Sequence, residues 1–396
     1  MKISALAGWS IGFMLYLAGL LYFASSLSIS PYETSLYFGE WPSLLYYPMQ
    51  WSTALFGRND IALRLPMIVL HFASLFLLYR IAKLYFTKPI DIAWTMGIFV
   101  LIPSINITTV LIHYAGLITF LVMLFVYLYH RHERIAWGLM PIYIAIDASF
   151  FVLSFGVGLL ALLQKRYGLV GWSWSLTALA WWIGDIYTVG EMHTMTLQTM
   201  GLYMVLLSPI LFFYFLYVVL FRIPTRGSKD ILWAISVSAL FWSLLLSLRQ
   251  GIKIELYEPY VVVALPLLVR QFMNTYRMRI RPHRVRLKLL FWTAMTLLML
   301  NSMAIFFNKI AFAFLENPQS HIFYQHYFIR ELSDALKAQG IDAVHADDWL
   351  LQKRLSFYGI GHSSTLTLKY GRLNKAYKIV SISYMSRPIM EYSVTK

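Results

Sequence analysis

The sequence predicts an α-helical polytopic membrane protein of about eleven transmembrane helices, followed by a small C-terminal α/β domain outside the membrane. Composition, the spacing of apolar segments and the placement of basic residues predict it. Of 396 residues, 59% are hydrophobic, 17% aromatic and only 13% charged. That is too little charge to cover a water-soluble protein of this size.

A helix crossing roughly 30 Å of hydrocarbon needs about 20 mostly apolar residues. Such segments fall near 4–26, 62–79, 92–106, 111–129, 135–147, 149–164, 168–184, 200–221, 231–248, 257–274 and 289–308. The third, fifth and sixth are short. The first lacks a compact apolar core with a small-residue cleavage site, so it reads as a retained span.

Short loops rich in Lys and Arg stay on the cytoplasmic side. With the N-terminus inside, the inner loops hold Arg80, Lys83 and Lys88, then Arg131 and Arg134, Lys165 and Arg166, Arg222, Arg226 and Lys229, and the run from Arg277 to Lys288. Arg58, Arg64, Arg249 and Lys253 fall outside, as do most acids: Glu33, Glu40, Asp60, Asp147, Asp185, Glu191, Glu255 and Glu258. Ionisable chemistry is therefore expected on the outer face.

The net charge of +15 follows from this topology, with the Arg277–Lys288 run placed against anionic lipid headgroups rather than nucleic acid. The chain has no cysteine, which excludes disulfides and thiolate metal sites. There is no Gly-rich phosphate loop and no Gly-x-Ser-x-Gly. The membrane block covers 1–308 and the soluble tail 309–396. In the tail, Tyr324 to Gln339 has helical spacing, Gly340 is a helix stop, Ile341 to His345 reads as a strand, Leu350 to Tyr358 as a helix and Ala376 to Ser383 as a strand.

The loop from 28 to 61 holds Tyr32, Tyr37, Phe38, Trp41, Tyr46, Tyr47, Trp51 and Phe56. Such rings favour the water–lipid boundary, so two amphipathic helices lying along the membrane are expected. Glu33, three residues past Ser30, is either a general base at the outer mouth of the first span or a helix-capping carboxylate. Arg58, Arg249 and Lys253 are outer cations placed against the usual bias, suited to an anionic leaving group, though Arg249 also fits a snorkelling role. Asp147 is an ionisable group near a span end, and so a functional candidate or a turn residue. Asp185, Glu191 and His193 could join His113 around a cation, but Glu191-Met192-His193 has no metal-ligand spacing, nor has His345-Ala346-Asp347-Asp348. No residue is assigned to a metal and no cofactor is assigned; a divalent metal stays open, with no ligand set in the sequence to support it.

The chain resembles the GT-C superfamily of glycosyltransferases, nearest the branch of protein O-mannosyltransferases and lipid A aminoarabinose transferases. The resemblance lies in an acidic residue early in the first outer loop, Leu44-Leu45-Tyr46-Tyr47-Pro48, the stretch from Phe56 to Pro66, Tyr114-Ala115-Gly116-Leu117, and Arg249 to Leu268 with Tyr257-Glu258-Pro259-Tyr260. It covers roughly 1–310 and implies inverting transfer of a sugar from a polyprenyl-phosphate carrier to a glycan, lipid or protein acceptor. It implies Glu33 as base, replaceable without loss of fold. Arg58, Arg249, Lys253, Tyr257 and Glu258 would serve the carrier phosphate or sugar. Tyr32, His113, Tyr114 and Asp147 would lie on the acceptor side. A bacterial inner-membrane address with a periplasmic tail follows from the same likeness. The chain departs from the pattern at His113-Tyr114, where many relatives have an Asp, and at Ser154-Phe155-Gly156-Val157, where they have Lys-Gly-Pro. Two other readings stand beside it: a transporter or flippase for lipid-linked saccharides, and a catalytically silent member acting as a scaffold.

Overall fold

The structure, a computed structural model, describes residues 2–40, 43–184, 186, 194–226, 229–315, 317–321, 323–373 and 376–396. Trp41, Asp185, Glu191 and His193 lie outside the described residues. Helices run in the order α1 Lys2–Ser26, α2 Pro31–Tyr37, α3 Tyr46–Phe56, α4 Asp60–Tyr85, α5 Pro89–Leu101, α6 Pro103–Val110, α7 Tyr114–Arg131, α8 Glu133–Ile146, α9 Phe151–Leu163 and α10 Tyr167–Ile183. They continue as α11 Thr196–Leu207, α12 Pro209–Leu216, α13 Ile223–Arg226, α14 Ile231–Ser247, α15 Glu258–Val262, α16 Leu265–Met278, α17 Arg281–Phe306, α18 Ile329–Ala338 and α19 Trp349–Phe357. Strands β1 His345–Ala346, β2 Thr367–Tyr370, β3 Lys378–Tyr384 and β4 Arg387–Thr395 lie in the tail.

Every apolar segment read from the sequence becomes a helix or a broken pair. Among the described residues, α4, α7 and α17 are long and apolar enough to cross a membrane alone. The number rises to six if each bent pair is one span: α1 with α2 at 90°, α5 with α6 at 63°, and α11 with α12 at 114°. The remaining expected spans are shorter helices, including α14 and the apolar stretch Ala148–Leu163. Proline marks all three breaks, since Pro31, Pro103 and Pro209 each open the second helix of a pair and cannot donate the N–H that would continue the one before.

By internal contacts the chain forms two compact units. The larger, residues 69–109 and 113–302, is a helical bundle around one apolar core that includes Phe99, Phe125, Phe151, Phe212 and Tyr260. Gly156 sets the approach of α9 to α14: a Cβ there would meet Ile235 Cα at 3.0 Å and the Ala234 carbonyl oxygen at 3.1 Å. Small residues at such crossings let helix backbones come together.

The other unit, residues 1–68, 110–112 and 303–396, joins the first helix and loop to the tail. Its loop helix α3 buries Met49, Ser52 and Thr53 and exposes Tyr47, Trp51 and Leu55. That outward apolar stripe, at spacing i, i+4, i+8, is what a helix lying in a membrane interface presents.

The tail sheet has the order β1-β2-β4-β3, with β1 parallel to β2 and the remaining pairs antiparallel. Gly340, at φ 71°, closes α18 as the sequence predicts. The helix begins later than expected, at Ile329, because residues 324–326 form a 3-10 turn whose His326 carbonyl accepts from Ser28 N–H at 2.8 Å. The strand expected over 341–345 shrinks to β1, with Ala343 bridged to Gly361.

Candidate active site

Pro31 opens α2 and Ser30 caps it. Ser30 Oγ accepts from the Glu33 N–H at 3.2 Å and Glu33 Oε2 accepts from the Ser30 N–H at 2.9 Å, a complete capping box. The carboxylate has further duties. Arg64 donates Nη2 to Oε2 at 2.9 Å and Nε to Oε1 at 3.2 Å, and the Ile112 N–H reaches Oε1 at 3.4 Å. The two side chains are 0% and 1% exposed. Burial pushes the Glu33 carboxyl up, but the Arg64 charge and the hydrogen bonds together leave it below the ordinary range.

Arg64 also reaches backward. Its Nη1 donates to the carbonyls of Ala24 at 3.1 Å and Leu27 at 3.0 Å, and its Nη2 to Ser28 at 2.9 Å. These are carbonyls that the 90° turn between α1 and α2 takes out of helical hydrogen bonding. Asp60, one turn before Arg64, stands 3.8 Å from Nη1 and is held by the tail, with Oδ2 on Arg330 at 2.9 Å and Oδ1 on the Tyr358 hydroxyl at 2.5 Å. Beside these groups lies His326, pushed down to about 4 chiefly by burial. Its Nδ1 is buried and has no hydrogen-bond partner among the described residues.

An open cleft of about 640 Å³ in the same unit is lined by Arg58, Asp60, Arg330, Asp334, Lys337 and Tyr358, among others. Arg58 is exposed there. Tyr32 is half-buried on α2.

A second cluster belongs to the larger unit. His113 caps α7, its Nδ1 accepting from the Ala115 N–H at 3.1 Å, and its Nε2 lies 3.9 Å from Glu255 Oε1. The pair is 27% and 39% exposed. Burial lowers the His113 pKa; Glu255 opposes that, Lys253 adds to it and Asp147 opposes it. Asp147 caps the turn between α8 and α9, accepting from Ser149 N–H at 2.8 Å. Asp147 therefore stands at a turn, between α8 and α9. Glu258 is buried and accepts a 2.5 Å hydrogen bond from Ser104 Oγ. Tyr257 is buried and Tyr114 half-buried.

The structure thus brings His113, Lys253 and Asp147 into one electrostatic neighbourhood with Glu255. Arg249, exposed at the end of α14, makes no ion pair among the described residues.

No family model and no curated protein matches the chain. Among solved structures, the crystal structure of ArnT from Cupriavidus metallidurans in the apo state is similar, with a TM-score of 0.57. The likeness covers 90% of this chain and 85% of that one, at 11% sequence identity. The chain shares the fold of that ArnT structure.

The sequence places Glu33 and Arg64 on the same outer face but gives no sign that they pair. An arginine at the apolar start of a span carries its own signal, since a cation there needs a partner. Arg330, Arg354 and Tyr358 carry no such signal, because their partners lie some 300 residues away in the first loop. Glu255 was legible only as an outer acid. Among the described residues, no group of three or more His, Asp or Glu could hold a metal ion.

Proposed function

We propose that this protein is an integral-membrane inverting glycosyltransferase that moves a sugar from a polyprenyl-phosphate carrier to an extracytoplasmic acceptor. The likeness to the ArnT structure over 90% of the chain is the observation that supports the reading. In the reaction, an acceptor hydroxyl oxygen attacks the anomeric carbon and the bond to the carrier phosphate breaks. The phosphate leaves with the electron pair, and a base takes the hydroxyl proton.

Glu33 is assigned as that base. Its carboxylate is in the ionised form a base requires. An acceptor hydroxyl would replace the Ile112 N–H, the longest of its contacts at 3.4 Å. Arg58, Arg249 and Lys253 are assigned to the departing phosphate, and Tyr257 and Glu258 to the carrier or sugar. Tyr32, His113, Tyr114 and Asp147 are assigned to the acceptor side. The multi-pass protein is placed in the inner membrane with its tail in the periplasm.

A second reading of the base rests on exposure. The His113–Glu255 pair is open to solvent where Glu33 is not, and Lys253 stands near it. On this reading Glu255 receives the proton, and Glu33 serves the fold.

Lipid and glycan analysis of cells lacking the chain tests the function. One envelope component should lose a sugar while its unmodified form accumulates. Unchanged glycosylation, with lipid-linked saccharide trapped on the cytoplasmic leaflet, would favour a flippase instead.

A further inference from the structure

We infer that Arg330, Arg354 and Tyr358 of the tail are positioning residues for the first loop, fixing the backbone from which Glu33 projects. The inference rests on the assignment of Glu33 to the reaction. The linker 27–30 between α1 and α2 has few helical partners of its own, so its polar groups must be met from elsewhere.

The tail meets many of them. Arg330 Nη1 donates to the Ser25 carbonyl at 2.7 Å, and the Arg330 N–H to Ser28 Oγ at 3.2 Å. Arg354 Nε donates to the Ile29 carbonyl at 2.9 Å and its Nη2 to the Gln325 carbonyl at 2.5 Å. The Tyr358 hydroxyl accepts from the Ile29 N–H at 2.8 Å while donating to Asp60 Oδ1. One oxygen therefore ties the loop to the helix that carries Arg64. With Arg330 on Oδ2, both oxygens of Asp60 are set by the tail, and Asp60 and Glu33 flank the same guanidinium.

The hydrogen bonds by which these three residues reach out of the tail fall on Ser25 to Ile29 and on Asp60, the groups that orient Arg64 and through it Glu33. Lys353 on Glu40 and Phe357 on Tyr37 hold the loop further along. Arg354 is 8% exposed, and burial lowers its pKa to about 10, so it remains a cation at neutral pH.

The absence of cysteine allows a direct test. Ser35→Cys places a thiol at a buried position on α2, and its labelling by a membrane-impermeant maleimide is timed in the full chain. Labelling should be slow in the parent and about tenfold faster or more with Tyr358→Phe or Arg330→Ala, because a lost buried hydrogen bond frees the loop to open. Lys369→Ala, at an exposed position on β2, should label as the parent does. Should Tyr358→Phe fail to fold, Arg354→Lys keeps the charge, loses the Nε donor to Ile29, and gives the same readout.

Parental labelling rates in the tail variants would overturn the inference. Where sugar transfer is measurable, Tyr358→Phe should lower kcat with KM held, and equal losses in both would also count against it. Faster labelling in variants of a parent that transfers no sugar would sink the glycosyltransferase reading and leave only the tail's structural hold on the first loop.

Discussion

Arg64 grips Glu33 through two roughly parallel hydrogen bonds, Nη2 to Oε2 at 2.9 Å and Nε to Oε1 at 3.2 Å, with neither side chain open to solvent. A planar guanidinium matched to a carboxylate in this way fixes direction as well as distance. The pair joins two sequence features thirty-one positions apart, the cap of α2 and the first turns of α4.

This geometry changes what Glu33→Gln should do. The sequence alone predicts loss of transfer with the fold intact. With the carboxylate gone, however, a fully buried arginine keeps only Asp60 at 3.8 Å as a counter-charge. Breaking a buried pair from one side costs about 3–5 kcal/mol. Thermal melting of detergent-solubilised protein should show a marked loss of stability in Glu33→Gln, and a parental midpoint would remove the structural role assigned here.

His326 makes acid sensitivity specific. Its pKa falls from the ordinary 6.5 to about 4 in the folded chain. Between those values the unfolded chain binds a proton that the native one does not, so stability is full above pH 6.5 and drains as pH falls toward 4. The loss attached to this residue is about 3 kcal/mol at most. Melting midpoints of the parent and His326→Gln, compared from pH 7 to pH 4.5, should converge on acidification. Parallel curves would contradict this.

Gly156 and Gly97 form a matched pair. Both lie inside helices, but only Gly156 has backbone within reach of a new Cβ, at 3.0 Å. Gly156→Ala should destabilise by about 1–3 kcal/mol through forced separation of α9 and α14. Gly97→Ala should be neutral or stabilising by up to about 1 kcal/mol. Melting of both variants side by side checks the contrast, and equal effects would refute it.

The helices were legible because apolar runs, prolines and caps are local signals. Ser30-Pro31 with Glu33 announces the start of α2, and Gly340 the end of α18. The hairpin β3–β4 was only half legible. Its turn passes through Met385 and Ser386, both at positive φ, where glycine or asparagine would have marked a tight turn. Strands β2 and β4 went unread, since β2 is four residues long and β4 follows that unmarked turn. In the site, Glu33 is legible as a carboxylate just past the first span, and His113 as the residue standing where the resemblance leads one to expect an Asp. Arg330, Arg354 and Tyr358 look like ordinary surface residues of a soluble tail until folding delivers them to residues 25–30 and Asp60.

The most direct measurement follows label from a radiolabelled polyprenyl-phosphate sugar in lipid nanodiscs containing the purified chain and envelope acceptors. Sugar should pass to an acceptor, with free polyprenyl phosphate released in equal amount. Label that stays on its carrier across the acceptors supplied, with the protein folded, would contradict the assignment of glycosyl transfer.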